Sequence, residues 1–130
     1  MTNYPQLDLV IENPEDNTKV LRVPALVDTG YQGYILINEH VATNLKLKRL
    51  KDFTQTIKNA DEGKTENKVA VAWIEFMSLD APNSRFKIPC VIKPMKDACV
   101  LGGRMLSKFA KDNQAHLLFN YLQEKIQFVA

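Results

Sequence analysis

The sequence predicts an all-β domain with two short helices, and three observations carry that reading. Short apolar runs with period-two alternation recur from one end of the chain to the other. Clusters of Asn, Asp, Pro, Ser and Gly punctuate them as turns. Only two stretches, one beginning at Asn38 and one around Met105, space their apolar residues as a helix does. At 130 residues the chain fits one domain, expected to span 1–130, and is long enough to bury most of the surface its unfolded form exposes.

Taken in order, Leu7-Asp8-Leu9-Val10-Ile11 alternates as a half-buried strand, and Asn13-Pro14-Glu15-Asp16-Asn17 is a turn. Val20 to Val27 reads as a second strand, with Pro24 placing it at an edge or a bulge. Tyr34 to Ile37 is a short third strand. Asn38 can then cap a helix through Leu45, on which Val41 and Leu45 share a face. Phe53 to Lys58 and Lys68 to Met77 flank the polar turn Asn59 to Lys64, which predicts a long hairpin with Gly63 at its tip. The inner half of its second arm, Val69 to Ile74, is apolar on both faces and is expected to be covered on each, with Trp73 in the core. After a turn at Ala81-Pro82-Asn83-Ser84, Phe86, Ile88, Cys90 and Ile92 fall on one face of a strand. Ala98 to Leu101 is a short apolar run ending in Gly102-Gly103. Met105, Leu106 and Phe109 follow at helical spacing, and Leu117 to Phe119 and Ile126 to Val129 close the chain as two strands.

Composition removes several classes of function. Hydrophobic residues make up 45% of the chain and charged residues 25%, the balance of an ordinary soluble protein. A formal charge of +2 does not indicate a nucleic-acid surface. The basic run Lys46 to Lys51 reads as a solvated helix end and linker. No apolar stretch is long enough to span a bilayer, so no membrane partner is expected. The first ten residues lack a basic start followed by a long apolar core, so no signal peptide is expected. Cys90 and Cys99 have no His or Cys at metal-ligand spacing, and His40 and His116 stand apart. No metal or other cofactor is therefore expected, the thiols are expected to be reduced and buried, and the compartment is expected to be the cytoplasm.

One tripeptide resists these bland readings. Asp28-Thr29-Gly30 occurs once, between the apolar runs Val23 to Val27 and Tyr34 to Ile37. An acid at the end of a buried run needs a reason, because unpaired acids are rarely buried. A strand-ending turn would supply one, since Asp and Gly favour turns.

Together with two later features, this tripeptide resembles the retropepsin-like aspartic proteases, most closely their small bacterial and archaeal members. Leu26-Val27-Asp28-Thr29-Gly30 matches the family's hydrophobic-hydrophobic-Asp-Thr/Ser-Gly turn. The hairpin from Phe53 to Met77, with Gly63 at its tip, matches the flap. Val100-Leu101-Gly102-Gly103-Arg104-Met105-Leu106 matches the late signature without a gap, and the resemblance covers roughly residues 7 to 129. It implies a closed β-barrel and an aspartic endopeptidase in which two carboxylates about 3 Å apart share one proton and activate water. With one Asp-Thr-Gly per chain, the dyad implies a homodimer contributing one Asp28 from each protomer, with a peptide or protein substrate laid beneath the flaps as an added strand. Asp28 would be the shared general acid/base, with Thr29 and Gly30 positioning it and Gly63 touching substrate from the flap.

Two departures from the viral pattern stand out. The acid two residues after the glycine is Gln32 here, and the arginine after the late glycine is Gly103, so both halves of that ion pair are absent together. The usual Asn or Asp of the late signature is Arg104. These departures keep a second reading open, a non-catalytic dimeric module that holds peptides in the same groove.

Overall fold

The computed structural model describes residues 5–59, 63–77, 83–120 and 125–129. The alternating run at the start forms β1 (Gln6–Asn13), which turns tightly into β2 (Asp16–Asp28). Asn13 fixes that turn, because its Oδ1 accepts the Glu15 N–H at 2.8 Å. Next come β3 (Ile35–Asn38) and α1 (Glu39–Asn44). The first turn of α1 is capped by Asn38 Oδ1 accepting the Val41 N–H at 2.8 Å, as the sequence predicts. The hairpin arms are β4 (Arg49–Asn59) and β5 (Gly63–Phe76), antiparallel and paired as far as Asn59 and Gly63. The turn between them, and with it most of the expected flap tip, lies outside the described residues. β6 (Arg85–Lys93), β7 (Cys99–Gly102) and α2 (Gly103–Asp112) follow, then β8 (His116–Asn120) and β9 (Lys125–Val129) as a separate antiparallel pair.

Six strands close into a barrel in the order β1-β2-β7-β3-β6-β5, with β5 returning to β1 through Leu9–Phe76, Val10–Glu75, Ile11–Ile74 and Glu12–Trp73. β4 hangs on the outer edge of β5. Closure removes the unpaired edges that an open sheet of this length would present. The strand alternation fixes which side chains enter. Leu9, Ile11, Ala25, Val27, Ile35, Ile37, Ala70, Ala72, Ile74, Cys90, Ile92, Cys99 and Leu101 fill the interior, with Met105, Leu106 and Phe109 of α2 packed onto the same cluster. The Phe109 ring centroid lies 4.5 Å from that of Phe76. It lies 5.9 Å from that of Phe86. Both pairs are tilted, as aromatic pairs prefer. Residues of opposite parity build a smaller apolar cluster on the other face, where Leu36, Val69 and Val91 are joined by Tyr31, Leu50, Met95 and Val100. Both faces of β3 are therefore covered.

Pro24 sits in the part of β2 flanked by β1 alone, since pairing with β7 begins at Ala25. The missing N–H interrupts no ladder on that side. Trp73 departs from expectation. It is half-buried on the outer face of β5, under the Arg85 guanidinium at 4.1 Å. Its neighbours Ala72 and Ile74 take the interior positions. The basic run also resolves differently from a simple linker. Leu47 is buried, Lys46 takes a left-handed conformation at φ 50°, and Arg49 opens β4 with its guanidinium on Glu39 at 2.6 Å. Buried Asn13 locks the bend, donating through Nδ2 to the carbonyls of Leu45 at 2.9 Å and Lys46 at 3.0 Å.

Candidate active site

Asp28 is the last residue of β2, where apolar alternation gives way to a turn. Its carbonyl accepts the Tyr31 N–H at 3.2 Å. That bond closes a tight turn through Thr29 and Gly30. The Asp28 carboxylate is partly exposed, and Oδ1 accepts the Gly30 N–H at 2.9 Å. A Cβ on Gly30 would stand 3.1 Å from that same oxygen, so glycine leaves the carboxylate room to receive the amide. Thr29 is exposed beside it.

The late signature meets this turn directly. β7 runs parallel to β2, and its register sets Gly102 opposite Asp28. Two backbone hydrogen bonds tie the loops together: Gly102 N–H to the Tyr34 carbonyl at 2.9 Å and Gly103 N–H to the Tyr31 carbonyl at 2.8 Å. The approach is close enough to exclude a side chain at 102, where a Cβ would lie 2.1 Å from the Gly33 carbonyl oxygen and 2.7 Å from the Tyr31 carbonyl oxygen. Gly102 has φ −90°, which any residue adopts, so lack of space alone demands glycine there.

With barrel, hairpin and paired loops in place, the comparison with solved structures is decisive for architecture. EIAV protease, in its complex with the inhibitor HBY-793, superposes with a TM-score of 0.57 at 17% identity, over 88% of this chain and 92% of that one. The chain has the retropepsin-like fold. A retropepsin-like aspartic protease from Rickettsia conorii also matches, with a TM-score of 0.49 and 14% identity over 99% of this chain and 100% of that one. No family model and no curated protein matches the sequence.

Within this retropepsin-like fold, the predicted residues divide into two groups. Asp28, Thr29, Gly30, Gly102 and Gly103 come together at one end of the β2–β7 ladder. Gly63 opens β5, where its backbone pairs with Asn59 at the outer end of the hairpin ladder. Gln32 is exposed, and the two backbone hydrogen bonds just described bind the loops at the place where Gln32 and Gly103 replace an ion pair. The Arg104 guanidinium lies 5.0 Å from the centre of the Tyr34 ring. Gly102 is the N-cap of α2 and supplies no side-chain hydrogen bond to its first turn.

Tyr31 has a larger part than the sequence indicates. Its ring lies over Gly33 and Gly102, and its hydroxyl is the one buried side-chain polar atom without a hydrogen-bond partner among the described residues. Burial pushes that phenol up to about 12, and the nearby Cys90 thiol adds to the shift. The signal in the sequence is its place between two glycines of the site, Gly30 and Gly33. Cys90 and Cys99 are free and buried, as expected, with the Cys90 thiol pushed up to about 12 by burial. No helix among the described residues is long and apolar enough to cross a membrane.

Proposed function

We propose that the chain is an aspartic-type endopeptidase acting as a homodimer, with Asp28 of each protomer meeting at a two-fold axis. One observation carries the reading: within a retropepsin-like barrel, the only Asp-Thr-Gly turn presents a partly exposed carboxylate opposite Gly102 of the late signature. A single carboxylate cannot both take a proton from water and give one to a carbonyl oxygen. Two identical ones placed together by C2 symmetry can, because like charges that close cannot both ionise and one proton is shared. Asp28 serves as general base toward the attacking water and its partner as general acid toward the scissile carbonyl. Thr29 and Gly30 position the carboxylate, the Gly30 N–H donating to its Oδ1. The substrate lies extended under the β4–β5 hairpin, with Gly63 near its backbone.

Incubating purified protein with a mixed peptide library tests the proposal, with and without an active-site inhibitor of aspartic proteases. Cleavage by wild type, blocked by the inhibitor and absent in Asp28→Asn, is the expected result. Cleavage persisting in Asp28→Asn overturns it. A dimer by sedimentation that cleaves nothing assigns the groove to peptide binding instead.

A further inference from the structure

We propose that the outward face of α2, together with Tyr34, is a docking surface for acidic peptide segments that reads two carboxylates about 9 to 10 Å apart. It stands on observations separate from Asp28 chemistry and holds whether or not the chain cleaves peptides. Arg104, Ser107, Lys108 and Lys111 recur at helical spacing and form one stripe, while Met105, Leu106 and Phe109 take the buried side. With Tyr34 and Asp112 they line a cleft of about 350 Å³. Lys108 is already engaged, its Nζ 3.0 Å from Asp112 and 5.5 Å from the Phe86 ring. Arg104 and Lys111 have no carboxylate partner among the described residues. The Tyr34 ring holds the Arg104 guanidinium in place without neutralising it, leaving its donors for a planar carboxylate.

Geometry sets the preferred ligand. Seven residues of α-helix put the Arg104 and Lys111 backbones about 10 Å apart. An extended polyproline-like peptide brings residues three apart to the same side at about 9 Å. Two acids separated by two residues therefore match these two cations. The cleft also adjoins the Asp28 turn, since the Tyr34 carbonyl accepts the Gly102 N–H. A protein substrate docked there would be held near the scissile-bond site.

The test is a titration of the ¹⁵N-labelled 130-residue chain, carrying Asp28→Asn so that nothing is cleaved, in about 50 mM NaCl where screening is modest. The probe is a blocked hexapeptide with glutamates at its second and fifth positions and prolines between them. Controls carry glutamines at the same positions, or the two glutamates side by side. The expected result is shifts confined to Tyr34 and α2, with a Kd about tenfold tighter than for the glutamine peptide, as two exposed charge pairs supply. The preference should fall below about twofold in an Arg104→Gln/Lys111→Gln variant whose melting temperature matches the parent. Equal binding of the glutamate and glutamine peptides overturns the proposal, as do shifts located elsewhere. Equal binding of the side-by-side glutamates overturns the spacing. A thymidine hexanucleotide binding as tightly as the acidic peptide replaces the peptide reading with general attraction to polyanions.

Discussion

Gly102→Ala adds one methyl group at the point where the two signature loops touch. Backbone conformation is not at issue, because φ −90° suits alanine as well as glycine. Space is at issue, since the new Cβ would sit 2.1 Å from the Gly33 carbonyl oxygen and 2.7 Å from the Tyr31 carbonyl oxygen. Both neighbours are main chain, so a rotamer change cannot relieve the overlap and the loops must part. Overpacking of this kind costs about 1–3 kcal/mol, and we place Gly102→Ala at the upper end, about 3 kcal/mol. Gly103→Ala is the matched control. Its Cβ would come no nearer than 3.4 Å to the Thr29 carbonyl oxygen, inside the first turn of α2. It should therefore be neutral or stabilise by up to about 1 kcal/mol. Urea unfolding at one fixed protein concentration reads both, the fixed concentration holding any dimer contribution constant. With a slope of about 1.5 kcal/mol per molar urea, the Gly102→Ala midpoint should drop by about 2 M. Equal midpoints for the two variants would refute the close approach of these loops.

Three further outcomes follow from other parts of the molecule. Asn13→Ala leaves the carbonyls of Leu45 and Lys46 without their donor and should cost about 2–3 kcal/mol in the same urea assay. Tyr31→Phe removes a buried hydroxyl that has no partner among the described residues, so it should raise the melting temperature or leave it unchanged, whereas a fall would mean that the hydroxyl is bonded. Stability should decline above pH 9, because the Cys90 thiol ionises near 9 when unfolded but only near 12 when folded. Its contribution is complete below pH 9 and is lost progressively as pH rises toward 12. Cys99 and Tyr31 shift in the same direction and act with the same sign, so Cys90→Ala should flatten the alkaline slope of the urea midpoint without abolishing it.

Local rules made much of the barrel legible. Period-two alternation identified the inward residues of β6 (Phe86, Ile88, Cys90 and Ile92), and a short polar side chain before an apolar pair identified the Asn38 cap. Strand ends were less visible. β2 begins at Asp16 and β4 at Arg49, because pairing with a neighbour extends a strand through polar residues that have no strand signal of their own. Trp73 misled for a related reason, since in an apolar run with both faces covered, parity and not hydrophobicity decides which residues enter the barrel. For the candidate site, Asp28 and Gly102 were each readable as motifs. Their opposition across a parallel ladder depends on β7 inserting between β2 and β3, a non-local pairing that no local pattern specifies. The α2 stripe was written in the spacing of Arg104, Lys108 and Lys111, but Lys108's commitment to Asp112 appears only in three dimensions.

The central claim, that two Asp28 carboxylates from different protomers make one catalytic centre, is tested most directly by mixing wild-type and Asp28→Asn protein under conditions of full subunit exchange. At fixed total protein and equal proportions, a dyad that needs both acids leaves about one quarter of the wild-type activity, because about a quarter of random dimers carry two Asp28 residues. Across all proportions the activity should follow the square of the wild-type fraction. A linear dependence, leaving about half the activity at equal proportions, would contradict the shared dyad.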